Sequence, residues 1–60
     1  MTTKEIEKAI SGGKTVVLRG DPQCRICRDF FGSLVVVDMR GGVPDRLATL
    51  SDKRQAIINQ

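Results

Sequence analysis

The fold of this chain depends on residues 20–32, which read GDPQCRICRDFFG and separate two short apolar runs. The runs are residues 15–18, TVVL, and residues 34–37, LVVV. Both are rich in β-branched residues and lack polar alternation, which is typical of strands that are covered on both faces. A helix between the runs would make them a parallel pair, whereas a loop would make them an antiparallel hairpin.

We expect a helix in this segment, from Cys24 to Phe31, with Ile26 and Phe30 on its inner face. The Gly-Asp-Pro sequence at residues 20–22 breaks the preceding strand, and Gly32 ends the helix. About a dozen residues lie between the runs, which is near the minimum length of a βαβ crossover. The pattern therefore predicts a right-handed βαβ unit with a parallel pair of strands. The alternative is an antiparallel hairpin whose long loop holds the cysteines.

The flanking sequence predicts further helices. Residues 3–11 carry an apolar stripe at helical spacing and are followed by two glycines, which favour a helix end. Pro44 and Asp45 suit a helix start, and Ile57 and Ile58 would be apolar contacts of one bent helix or two short ones. The predicted fold class is α/β, a single α-β-α-β-α domain over residues 1–60. A two-stranded sheet is weak alone, so we expect dimerisation or a partner to complete it.

Composition limits the classes of function. Hydrophobic residues make up 40% of the 60 residues, which is typical of a folded protein, and no apolar run is long enough for a transmembrane helix. The first residues are charged and do not form a secretory signal, so we expect a cytoplasmic protein with reduced thiols and no membrane partner. The net charge of +3 is compatible with an anionic partner.

Cys24 and Cys27 form the single Cys-x-x-Cys pair, and the chain contains no histidine. The lack of histidine excludes a Cys-His nucleophile pair and a Cys-His zinc site within one chain. At the start of a helix, Cys24 would have a lowered pKa because it faces the positive end of the helix dipole. Positive charge from the neighbouring arginines would lower that pKa further, and Cys27 would resolve a mixed disulfide formed at Cys24. These candidate tuning residues are Arg19, Arg25 and Arg28.

Residues 10–18, ISGGKTVVL, and residues 22–28, PQCRICR, resemble the opening of the glutaredoxins. In that family a helix, a Gly-Lys turn and an apolar strand lead to a Pro-x-Cys-x-x-Cys-Arg segment that starts a helix. The resemblance covers residues 5–38, and the second half of the family fold has no counterpart here. It implies thiol–disulfide exchange on a disulfide substrate, with Cys24 as the nucleophile and Cys27 as the resolving thiol.

Other roles for the cysteines remain open at this point. They can be small core residues, or they can form a structural disulfide. They can also be half of a Cys₄ zinc site shared by two chains, with Asp21 or Asp29 as the nearest substitute ligands.

A non-catalytic function is the main alternative to redox chemistry. A small basic regulator or inhibitor would bind a larger protein or nucleic acid, with Arg46, Lys53 and Arg54 forming a basic face on the last helix. The only aromatic residues are Phe30 and Phe31, fewer than a base-stacking platform usually has.

Overall fold

The computed structural model of the chain describes residues 1–59, which form an α+β domain with one five-stranded antiparallel sheet. The elements are α1 (Thr3–Ser11), β1 (Thr15–Leu18), β2 (Asp21–Arg28), β3 (Leu34–Asp38), β4 (Arg46–Leu47), α2 (Leu50–Gln55) and β5 (Ala56–Asn59). The strand order is β4-β3-β2-β1-β5, and every neighbouring pair is antiparallel.

Helix α1 is confirmed over the residues that the sequence predicted. Thr2 and Glu5 form a capping box, in which each side chain accepts a hydrogen bond from the backbone N–H of the other residue. Ile6 and Ala9 are buried against the sheet. The chain then leaves the helix through Gly13, whose φ of 79° favours glycine.

The predicted helix from Cys24 to Phe31 is wrong, because residues 21–28 form strand β2. Side chains alternate along this strand: Cys24 and Ile26 face the core, and Arg25 and Cys27 face the other side. A helix of eight residues is marginal by itself, whereas a strand here forms backbone hydrogen bonds with β1 on one edge and β3 on the other. Pairing along both edges therefore decides the conformation.

The predicted parallel pair is also wrong, and so is the two-stranded α/β architecture. The two apolar runs are strands, as expected, but β2 lies between them. The predicted helix start at Pro44 is wrong, because Pro44 and Asp45 have no regular secondary structure and lead into the short strand β4. Ile57 and Ile58, expected on a helix, belong to β5 and pair with Val17 and Val16 of β1.

The core lies between α1 and one face of the sheet. Its buried members are Ile6, Ala9, Val16, Leu18, Ile26, Leu34, Val36 and Ala56. The opposite face of the sheet carries Val17, Arg25, Cys27 and Val35, which alternate with the core residues of their strands. Val17 and Val35 are buried there, while Arg25 and Cys27 are half-buried.

Asp52 joins β4 to α2 and is the buried charged residue of the described chain. Its carboxylate accepts hydrogen bonds from both terminal guanidinium nitrogens of Arg46, and from the backbone N–H and hydroxyl of Thr49 at 2.8 and 3.0 Å. Thr49 and Asp52 also form the capping box that starts α2. The bond with Arg46, followed by the bonds with Thr49, holds the pKa of Asp52 far below its ordinary value despite burial.

We expect Asp52→Asn to lower the free energy of unfolding at pH 7 by about 2 kcal/mol, since it removes charge-assisted hydrogen bonds. A lowered carboxyl pKa stabilises the folded state above the unfolded pKa of about 3.9, and this contribution is lost as the pH falls through the folded pKa. Urea unfolding at several pH values measures the difference. The control is Asp45→Asn at an exposed residue. Equal destabilisation by both variants would contradict the prediction.

Candidate functional site

The two cysteines lie on opposite faces of the sheet. Cys24 pairs with Asp38 and Cys27 with Val35, both in β3. Because the cysteines are three residues apart on a strand, their side chains alternate in direction and their backbones are about 10 Å apart. Both thiols are free. This strand geometry does not bring the sulfurs together for attack and resolution, which was the arrangement expected at a helix start.

The surroundings of Cys24 do not favour its thiolate. Burial, followed by the hydrogen bond and negative charge of Asp21, raises the pKa of the Cys24 thiol. The Sγ atom donates to Oδ2 of Asp21 at 3.5 Å. Asp38 raises the pKa further, and only Arg40 opposes these effects. The nearby aspartates thus act against the activation that the sequence predicted.

The three predicted tuning arginines are spread over the molecule. Arg19 is exposed in the turn after β1, and Arg25 lies on the sheet face opposite Cys24. Arg28 ends β2 and donates to Glu7 of α1 at 2.7 Å, in an ion pair whose side chains are both about 40% exposed. The cation that does lower the pKa of Cys24 is Arg40, which also bonds to Asp21 and Asp38.

The structure also bears on the predicted zinc ligands and on the predicted basic face of the last helix. Within residues 1–59, no three Cys, Asp or Glu side chains come together as metal ligands. Two thiols on opposite faces of one strand do not favour a zinc site that uses both. Arg46 lies on β4, bound to Asp52, whereas Lys53 and Arg54 occupy the last turn of α2, so the three do not form one helix face.

The feature that sequence reasoning missed is the tip of the β2–β3 hairpin, residues 29–33. Phe30 and Phe31 lie there with 96% and 87% of their surface exposed. Their ring centroids are 5.5 Å apart and the ring planes are perpendicular. The signal was present in the sequence, because Asp-Phe-Phe-Gly-Ser between two β-rich segments is a turn, and turns lie at the surface.

A closed network of hydrogen bonds holds this tip. The backbone N–H of Asp29 donates to the backbone carbonyl of Ser33 at 2.9 Å. The carboxylate of Asp29 accepts from the N–H groups of Phe31 and Ser33 at 2.9 and 2.8 Å. Gly32 takes a φ of 83°, which other residues rarely adopt. The backbone conformation of the loop therefore fixes the positions from which the two phenylalanine side chains extend.

A basic cleft adjoins the same hairpin. It has a volume of about 320 Å³ and is lined by residues of α1, β1 and β2 and the loop between α1 and β1. Its charged members on the α1 side of the sheet are Lys14 and Arg28, whereas the side chain of Arg25 lies on the opposite face. Arg28 is the residue immediately before the tip, so the cleft and the two rings are continuous along β2.

Acidic residues form salt bridges with some of the basic side chains in residues 1–59 and not with others. Arg28, Arg40 and Arg46 make the salt bridges found in residues 1–59. Lys14 and Arg25 take part in none of these bridges, and the Nε atom of Arg25 is buried without a hydrogen-bond partner in that range. Lys14 is thus a basic residue of the cleft that no salt bridge in this range neutralises, beside Arg28, which is paired with Glu7.

Comparison with known proteins gives no family for the chain, since no family model, curated protein or solved structure matches it. Neither helix in the described residues is long and apolar enough to cross a membrane.

We expect Cys24 to be less reactive than an ordinary thiol at neutral pH, because a raised pKa leaves less thiolate. In a Cys27→Ser variant, the rate of iodoacetamide alkylation should rise with pH to a midpoint above the ordinary value of about 8.5. The same variant unfolded in urea supplies the unperturbed midpoint as control. A folded midpoint at or below the unfolded one would contradict the raised pKa.

Proposed function

We propose that this chain is a non-catalytic binding protein that holds single-stranded nucleic acid on the β2–β3 hairpin. The observation that carries the proposal is the exposed Phe30–Phe31 pair, fixed at the hairpin tip next to a cleft that Lys14 and Arg28 line.

The two rings supply the stacking surface. Phenylalanine is normally among the most buried residue types, so two adjacent rings in solvent suggest a surface for a partner. The rings are perpendicular, with the edge of one toward the face of the other, which leaves ring faces free for other planar groups. Bases of a single strand are such groups, and stacking is worth about 1–3 kcal/mol per base.

The cleft supplies contacts to the backbone of the same strand. Lys14 and Arg28 lie beside the hairpin that carries the rings. A hydrophobic pocket on a protein would accept the rings but leave these cations without partners. A nucleic acid offers planar bases and phosphates together, which matches both parts of the hairpin.

The positions of the two cysteines also favour a binding function over thiol–disulfide exchange. The thiols lie on opposite faces, and the pKa of Cys24 is raised. We place the protein in the cytoplasm, where reducing conditions keep such thiols free. Thiol–disulfide exchange, the zinc site shared between chains and self-association remain predictions from the sequence, and the binding proposal requires none of them.

We expect Phe30→Ala and Phe31→Ala each to weaken binding by about 1–3 kcal/mol, or roughly 5- to 150-fold in Kd. Stability should change by less than about 0.5 kcal/mol, because both rings are exposed. Fluorescence anisotropy with a labelled single-stranded oligonucleotide measures the first quantity, and thermal unfolding measures the second.

The matched control is Met39→Ala, an exposed apolar residue just beyond the other end of β3. It should leave Kd unchanged. No binding by the parent chain to single-stranded DNA or RNA would overturn the proposal, and so would equal Kd values for the parent and the two phenylalanine variants. Preference for a duplex would indicate that the rings act as a wedge between base pairs instead.

We expect a Cys24→Ser/Cys27→Ser variant to bind the same oligonucleotide with the parent Kd, since neither thiol is part of the stacking surface. The parent should also show no reduction of a small disulfide above the rate of its urea-unfolded form. Loss of binding in a folded double variant, or faster disulfide reduction by the folded parent, would favour a role for the thiols.

A further inference from the structure

We propose that the face of the sheet opposite α1 is a docking surface for an amphipathic helix of another protein, which carries an apolar stripe and a carboxylate within it. This surface is called the open face. The inference does not depend on the proposed function, since it uses neither the two phenylalanine rings nor the cleft. It rests on the composition of the open face and on the position of Arg25 at its centre.

The pairing of the strands defines the open face. Residues directly opposite one another in neighbouring antiparallel strands point to the same side of a sheet. Two rows of side chains therefore cross the sheet on the side away from α1. The first row is Ile57, Val17, Arg25 and Val37, and the second is Asn59, Thr15, Cys27, Val35 and Leu47.

Neither helix of residues 1–59 covers the open face. Helix α1 packs on the core face of the sheet. Helix α2 lies between Ala48 and Ala56, which both pack in the core. The amino group of Met1, a residue that also packs against the core, donates to the carbonyl of Lys53 in α2 at 2.7 Å. Both helices therefore lie on one side of the sheet.

The strands nevertheless have the composition of strands that are covered on both sides. An antiparallel sheet with one face in water normally alternates apolar and polar residues along each strand. Strands β1 and β3 instead place Val17, Val35 and Val37 on the open face. Around the buried Val17 and Val35, Val37 and Cys27 are half-buried and Leu47 is 66% exposed. The sequence is thus that of a sheet with a second layer, which the described chain does not supply.

Arg25 determines what charge the missing layer carries. It lies on the central strand between Val17 and Val37, and its Nε is buried with no hydrogen-bond partner among residues 1–59. No Asp or Glu of the described residues occupies a paired position on the open face. Buried donors nearly always have an acceptor, and a guanidinium matches a carboxylate with paired N–H groups. A partner with a carboxylate among apolar side chains complements this surface.

The size of the open face favours a single helix over a second copy of this chain. Five strands about 4.8 Å apart, with about four residues each, give a face of about 20 Å by 13 Å, or roughly 260 Å². Each partner of a standard stable interface buries about 800 Å². A helix is about 10 Å wide, and three to four turns span about 20 Å, which fits. Two copies stacked face to face about a two-fold axis would also bring their Arg25 guanidinium groups together, and like charges repel.

The experiment uses a phage-displayed library of helical peptides of about 18 residues, with the whole chain as bait. We expect the selected peptides to share apolar residues at i, i+3, i+4 and i+7 and a carboxylate within that stripe. Fluorescence anisotropy measures their Kd. Amide chemical shifts of the ¹⁵N-labelled chain should change at residues 15–17, 25–27 and 35–37.

Leu47→Lys tests the apolar part of the open face. It should weaken peptide binding about fivefold or more, because it places a charge against the apolar stripe. The matched control is Leu50→Lys in α2, since the two leucines are 66% and 65% exposed and only Leu47 lies on the open face. The control should leave Kd within about twofold. Both changes are at exposed residues, so both variants are expected to fold.

Arg25→Glu tests the charge. It should weaken binding of a selected acidic peptide about tenfold or more, and replacement of the peptide's carboxylate by lysine should restore affinity in this variant alone. A restored affinity cannot come from loss of folding. Replacement of the peptide's glutamate by glutamine tests the same contact on the parent chain, if Arg25→Glu does not fold.

Four results would overturn the inference. One is the absence of any selected helical peptide, and another is equal Kd values for the parent and Leu47→Lys. A parent that sediments as a dimer, with Leu47→Lys a monomer, would assign the open face to a second copy. Weaker oligonucleotide binding by Leu47→Lys would assign it to a nucleic acid strand, because an added lysine can only strengthen contacts with phosphates.

Discussion

Strand β1 is paired along both edges, and this double pairing determines where the other elements lie. Val16 is opposite Ile26 on one side and Ile58 on the other, and Val17 is opposite Arg25 and Ile57. The four residues of β1 thus connect a strand that follows directly in sequence with one some forty positions away. In so short a chain, which buries only about 60% of its unfolded surface, no second core can compensate for losing this pairing.

The same constraint explains why the hairpin tip is exposed. With β1 on one edge and β3 on the other, β2 has no free edge, and its loop leaves the sheet at the end where Arg28 pairs with Leu34. Helix α1 packs over β1 and covers the core face. Phe30 and Phe31 lie beyond the last paired residues, and the bonds of Asp29 keep the loop closed there. Their exposure follows from the topology.

Local signals in the sequence were enough for α1, β1 and β3, because each has a strong pattern and a clear boundary. They were not enough for residues 24–28 or 56–59. Ile26 and Phe30 have helical spacing, while Cys24 and Ile26 have strand spacing, so the segment satisfies both periods. Ile57 and Ile58 likewise form a strand because they pair with one edge of β1. Partners distant in sequence decided these elements, and a single chain's local pattern does not contain them.

The interpretation of the candidate site depended on the fold in the same way. Cys-x-x-Cys attracts attention as a motif, yet its chemistry requires a helix that brings the two sulfurs to one side. On a strand, the same spacing separates them. Phe30 was expected on an inner helix face, and it could be seen as a surface pair with Phe31 only once residues 29–33 were known to be a hairpin loop. Arg25 and Arg28 were predicted to act on Cys24, but in the structure Arg25 lies on the opposite face of the sheet and Arg28 pairs with Glu7.

The stability that the chain loses by leaving its phenylalanine rings in solvent is itself an argument for binding. Burying one phenylalanine contributes about 1.5–3 kcal/mol, a large fraction of the stability available to a domain of this size. The chain nevertheless builds its core from valine, isoleucine, leucine and alanine, and leaves both of its aromatic rings in solvent. A few residues away, the Nε of Arg25 is buried in the sheet with no hydrogen-bond partner among residues 1–59. Proteins tolerate such local departures from stable design mainly where a partner compensates for them, and here two departures meet on one hairpin.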